Sequence, residues 1–93
     1  MTVAELARVY RNDRVAARAV EGSALVVVLD KRELHRLNGV GARVWELCDG
    51  RNVAEICDQV QEEFDVERAQ AMADLTAFIE TMEAVGALRV EGP

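Results

Sequence analysis

The stretch LNGVGARVWELCDGRNVAEI, Leu37 to Ile56, holds the start, stop and restart signals of two consecutive helices. Asn38 is placed to cap the first, its side-chain oxygen accepting from unpaired N–H groups of the opening turn. Val40, Val44 and Leu47 then recur as one apolar stripe, with Trp45 and Cys48 beside it. Asp49-Gly50 ends the helix, because glycine takes the left-handed position after a helix without a Cβ clash. Asn52 opens the next helix, and Glu55 three residues on completes an asparagine form of the capping box. Two punctuated helices joined by a tight turn make the skeleton of a helix-turn-helix.

Upstream the pattern is β. Val15, Ala17 and Ala19 alternate with Arg14, Ala16 and Arg18, as in a strand with one exposed face. Glu21-Gly22-Ser23 signals a turn, and Ala24 to Leu29 is a continuous apolar, β-branched run. After a turn beginning at Asp30-Lys31, Arg32 to Leu37 reads as a short third strand. The three form an antiparallel meander. The third strand is dense in charge: Lys31, Arg32, Glu33, His35 and Arg36 surround only Leu34 and Leu37. Those leucines have opposite parity, so a regular strand cannot send both to one face. A short, charged strand suits a sheet edge, where free N–H and C=O groups are open to an incoming peptide.

Downstream, Val53 to Phe64 forms the second helix, with Val53, Ile56, Cys57, Val60 and Phe64 on one face. Asp65 is the expected cap of a third helix from Val66 to Val85, roughly 30 Å long at 1.5 Å per residue. Gly86 ends it, and Ala87 to Val90 can add a final strand. The third helix has two overlapping stripes: Met72, Leu75, Ile79, Met82, and Ala71, Leu75, Phe78, Met82, Val85. Their wide arc fits a helix packed on two sides, and equally a helix that leaves the Phe78 side as a groove wall. The expected class is α+β: a winged helix-turn-helix, with a three-stranded antiparallel sheet followed by three helices. It forms a single domain over residues 1–93, with the weakly patterned residues 1–12, from a cap at Thr2 onward, expected to be flexible.

Composition narrows the functions. In 93 residues, half of them apolar, a core can form. The longest apolar run cannot span a bilayer, and no basic-then-apolar signal opens the chain, so a cytoplasmic protein without a membrane partner is expected. Cys48 and Cys57 fall on apolar helix faces, outside any CxxC, and read as buried thiols. Charge divides unevenly: Met1 to Arg51 carries nine Lys/Arg against seven Asp/Glu, Asn52 to Pro93 two against ten. With His35 as the single histidine, no Cys–His or His–Asp nucleophile system assembles. Neither a phosphate-binding glycine loop nor a metal-ligand cluster is present. No cofactor is expected, and the chain reads as non-catalytic.

The ordered set Leu37, Asn38, Gly41, Val44, Trp45, Leu47, Asp49, Gly50 and Ile56, then Asp74, Leu75, Phe78 and Ile79, resembles the PqqD-like family. The resemblance covers Val15 to Val90. It implies a recognition element whose partner is the leader part of a ribosomally made precursor peptide. The leader adds as a strand to the third strand, against the third helix, and the domain presents the peptide to a modifying enzyme, often a radical S-adenosylmethionine protein. Carried onto this chain, the site comprises Lys31, Arg32, Glu33, Leu34, His35, Arg36 and Leu37, with Ala71, Leu75, Phe78 and Met82 of the third helix. Arg32 and Arg36 would attract acidic leader residues. Members from the quinone-cofactor pathway have Pro-Glu ahead of this strand; here Asp30-Lys31-Arg32-Glu33 stands instead. Leader recognition for a lasso-peptide protease competes with the radical-enzyme reading.

A winged helix-turn-helix also describes DNA-binding regulators. Their reading helices present Arg and Lys to phosphates, yet Arg68 stands nearly alone among Glu67, Asp74, Glu80 and Glu83, so no nucleic-acid partner is expected. A third class is an assembly module that forms a homodimer through the exposed edge or the wide face of the third helix. Trp45 and Asp49 read as structural in every case.

Overall fold

The β-branched run becomes the middle of a sheet because a strand pairs along each of its edges and one of its faces packs into the core. In the computed structural model, which describes residues 3–92 (Val3 without its side chain), the elements are α1 (Val3–Leu6), β1 (Arg8–Arg11), β2 (Val15–Val20), β3 (Ser23–Val28), β4 (Glu33–Asn38), α2 (Val40–Leu47), β5 (Asp49–Asn52), α3 (Val53–Glu63), α4 (Arg68–Ala84) and β6 (Leu88–Glu91). The cap expected at Thr2 lies outside the described residues. Strands β2, β3 and β4 form the expected antiparallel meander in that order. Ala24, Val26 and Val28 point from β3 into the core, while Leu25 and Val27 stay half-buried on the opposite face. The half-exposed pattern expected for the first strand fails: β2 is exposed throughout except for half-buried Val15. Its alanines lie on an edge that the helical layer does not cover.

A second three-stranded sheet, ordered β5-β1-β6, was not legible from the sequence. Within the stretch read as an unpatterned tail, Val9 is fully buried and β1 is the central strand. Its end also holds two helix termini. The Arg11 guanidinium donates to the Trp45 and Glu46 carbonyls at 2.9 and 2.7 Å, and Asn12 Nδ2 donates to the Gly86 carbonyl at 3.0 Å. The Arg11 cation thus meets the negative end of the α2 dipole, and Asn12 ties down the residue that follows the C-cap of α4.

The turn of the helix-turn-helix is itself part of this sheet. Helix α2 ends at Leu47 with Cys48 as its C-cap, so Gly50 is not the helix terminator expected from the sequence. Instead Gly50, at φ 107°, lies where β5 bulges: Arg8 pairs Asn52 and Tyr10 pairs Asp49, three steps against two. A Cβ on Gly50 would stand 3.1 Å from the Tyr10 ring, so both backbone and ring ask for glycine.

Other boundaries move for similar reasons. Asn38 does not cap α2; it pairs with Ser23 at the end of β4, and the N-cap is Gly39, without a side-chain bond. The strand ladder runs one residue further than the sequence implied, and the helix starts one residue later. Asp65 likewise does not cap α4, whose N-cap is Glu67. Val66 packs against the core and holds the chain extended to that point. Asn52 does form its capping box, accepting from Glu55 N–H at 2.8 Å while Glu55 accepts from Asn52 N–H at 2.9 Å. At the end of α4, Ala87 N–H bonds to the Met82 carbonyl and Gly86 N–H to that of Glu83, a Schellman closure.

Candidate functional site

Among the described residues strand β4 pairs only with β3, and its other side is open. The phase of that edge follows from one bond. Gly39 N–H donates to the Gly22 carbonyl, which makes Gly22–Gly39 a hydrogen-bonded pair in the β3–β4 register. Antiparallel pairs alternate between bonded and non-bonded. Glu33, His35 and Leu37 therefore bond inward to β3, while the N–H and C=O groups of Leu34, Arg36 and Asn38 face the open edge. The bond from Leu29 N–H to the Arg14 carbonyl fixes the complementary phase on the β2 side of β3.

Side chains alternate as well. Glu33, His35 and Leu37 lie on the core face, opposite Val28, Val26 and Ala24. Leu37 packs against the core, and His35 is half-buried with Nε2 3.3 Å from Glu33 Oε2. Leu34, 64 % exposed, and Arg36 take the outer face. This bears out the opposite parity of the two leucines. Lys31 and Arg32 are not in the strand. They lie in the preceding turn, where Arg32 has φ 55°. Among the described residues Arg32 and Arg36 form no ion pair, so both charges are free to meet an anion.

Helix α4 packs chiefly on α3 and β6 and leaves β4 largely unpacked. Two contacts bound the resulting cleft. At one end Lys31 Nζ donates to the Ala84 carbonyl at 3.3 Å. At the other the Phe78 ring lies over the backbone of Gly41, where a Cβ would sit 3.6 Å from it. Beside this second contact is an apolar pocket of about 200 Å³, lined by Val40, Gly41 and Val44 of α2, Val60, Val66, and Ala71, Asp74, Leu75 and Phe78.

The residues singled out on the third helix are thus placed differently from one another. Phe78 is half-buried and Ala71 and Leu75 are buried, but all three line the pocket. Met82 is 3 % exposed, packs in the core and does not reach the pocket. Both meanings of the wide apolar arc hold: Leu75, Ile79 and Met82 pack centrally, and the Phe78 flank forms a wall. The sequence reading missed the α2 wall. Val40 and Val44 belong to the same stripe as Leu47, and nothing in that stripe separates a pocket residue from a core residue.

Among the described residues neither cysteine lines the pocket. Burial pushes the Cys48 thiol up to about 12, against the opposing charge of Arg11, and raises that of Cys57 as well. Among the described residues no group of three or more His, Cys, Asp or Glu is placed to hold a metal ion. No helix among them is long and apolar enough to cross a membrane. Arg68, the one basic residue of α4, is engaged by Asp58, by Gln61 at 3.1 Å and by Glu5 at 3.7 Å. It is not free for a phosphate.

The family model for coenzyme PQQ synthesis protein D (PqqD) matches residues 25–88, from the central strand β3 to the first residue of β6. The chain belongs to the PqqD family. Among solved structures it is similar to TbiB1 in complex with the TbiA(beta) leader peptide. The two share 25% identity at a TM-score of 0.81, over 86% of this chain and 94% of that one. It also resembles lasso peptide synthetase B1 complexed with its leader peptide, at 19% identity and TM-score 0.76, over 88% of this chain and 98% of that one. Comparison with curated proteins gives no match. The α+β winged-helix architecture expected from the sequence is that of these relatives.

Proposed function

We propose that this PqqD-family chain is a non-catalytic, cytoplasmic adaptor that binds the leader of a ribosomally synthesised precursor peptide and presents it to a modifying enzyme. The observation that carries the reading is the open edge of β4 beside an apolar pocket, the arrangement needed for strand addition. The leader-bound state of both structural neighbours supports it. Outward N–H and C=O groups of Leu34, Arg36 and Asn38 pair with the leader backbone. Its inward side chains pass over His35 and Leu37, and one apolar residue enters between Val40 and Phe78. Ala71 and Leu75 floor that pocket, and Met82 supports the floor from within the core. Lys31 and Glu33 lie at the far end of the cleft from that pocket, and Arg32 and Arg36 favour acidic leader residues.

A leader peptidase, as in a lasso-peptide system, is a partner to test beside a radical S-adenosylmethionine enzyme. Phe78→Ala is expected to weaken leader binding by about 1–3 kcal/mol, as loss of an aromatic anchor does. Calorimetric titration with the leader encoded beside the chain, set against a short DNA duplex, tests the function. Leader binding that Phe78→Ala weakens supports it. Salt-sensitive binding of the duplex alone contradicts it.

A further inference from the structure

Helix α4 has a second apolar flank, away from the leader cleft. Met72 and Ile79 form the floor of a groove of about 560 Å³ together with Val53 and Val90, and Glu80 and Glu83 stand on its rim. At about 100° per residue, this flank is centred roughly 130° around α4 from the one that carries Phe78. The two grooves do not share a wall.

Its chemistry is the opposite of the leader cleft. Glu80 and Glu83 are exposed, one helical turn apart, and neither has an ion pair among the described residues. Like charges at that spacing repel each other mildly, and the helix's one arginine is engaged by Asp58 and by Glu5, itself a lining residue of the groove. Two free arginines lie on the outer face of β4 and in the turn before it, and two free glutamates border this groove. The groove also adjoins an open strand edge. Asn12 N–H bonds to the Ala87 carbonyl, which sets the β1–β6 phase and turns the N–H and C=O of Leu88 and Val90 away from β1.

We propose that this groove docks the modifying enzyme, through a segment in which apolar side chains are flanked by Lys or Arg. The inference rests on the adaptor reading, since it supplies the second partner that an adaptor must hold. Apolar side chains of the enzyme enter over Met72 and Ile79, and its cations meet Glu80 and Glu83. Opposite signs of charge keep the acidic leader and the basic enzyme segment out of each other's groove. Both then bind at once, and the enzyme meets its substrate at the effective concentration of a tethered pair.

The test is calorimetric titration of the full chain with the purified modifying enzyme encoded beside it, and separately with the leader. Glu80→Lys combined with Glu83→Lys, both on exposed positions, is expected to lower enzyme affinity at least about tenfold and leader affinity by less than about twofold. Arg32→Glu with Arg36→Glu is expected to do the reverse. Undiminished enzyme affinity in the first variant overturns the proposal, and so does displacement of the enzyme by the leader. A concentration-dependent dimer that the same variant abolishes overturns it too, because a second copy then fills the groove. Contacts seating residues 1–3 of the chain in the groove within the enzyme complex have the same force. The enzyme titration reads this proposal alone and the leader titration the adaptor function alone, so each can fail without the other.

Discussion

Glu21 and Gly22 close the β2–β3 hairpin between paired Val20 and Ser23, and both have positive φ, 38° and 79°. A two-residue loop with that geometry is a type I′ turn, whose twist matches the strands it joins. Glutamate crowds its own backbone there, whereas asparagine tolerates the left-handed region. Glu21→Asn is therefore expected to raise stability by roughly 0.5–1 kcal/mol, read as a higher urea midpoint with unchanged slope. The core cysteine gives a prediction about pH. Cys48 is fully buried and donates from Sγ to the Val44 carbonyl at 3.1 Å, and burial pushes its thiol up to about 12. The unfolded chain ionises this thiol near its ordinary value of 9.0, while the fold keeps the proton. Stability from Cys48 is complete below that value and is lost as pH rises toward about 12. Urea midpoints of the native chain should fall more steeply than those of Cys48→Ala between about pH 9 and 11. Equal slopes would mean the thiol is already solvated.

At the scale of elements, the parts legible in the sequence are those that local chemistry decides. The Asn52–Glu55 capping box forms as its spacing requires, and Asn52→Ala should cost about 1 kcal/mol, measurable by thermal melts. The meander, the start of α3 and the end of α4 were visible because apolar period and punctuation agree there. Strands β1 and β5 were not. Asp49–Asn52 has the composition of a turn, and it is a strand only because β1 offers it partners. Arg8–Arg11 shows a single buried residue, Val9, and its partners come from residues 49–52 and 88–91. Long-range pairing of this kind leaves no local period. The missed caps at Asn38 and Asp65 have the same cause, since strand pairing and the burial of Val66 decided where each helix began.

Over the whole molecule, the open strand edge and the Phe78 wall could be anticipated, because a charged strand and a wide apolar arc are sequence features. The α2 wall, and the placing of Met82 in the core, depend on how three helices meet, which no single stretch encodes. The uneven charge of the two halves takes on spatial meaning here: free arginines lie on the outer face of β4 and in the turn before it, and free glutamates border the far side of α4. The central claim is that a leader peptide adds as a strand to β4, and the edge phase gives that claim a residue-level signature. Amide hydrogen exchange should be recorded by NMR for Leu34 to Asn38, with and without the leader. Leu34, Arg36 and Asn38 are expected to exchange freely in the free chain and become protected by the leader, while His35 and Leu37 are protected in both. Leader binding that leaves Leu34 and Arg36 exchanging freely would contradict strand addition at β4.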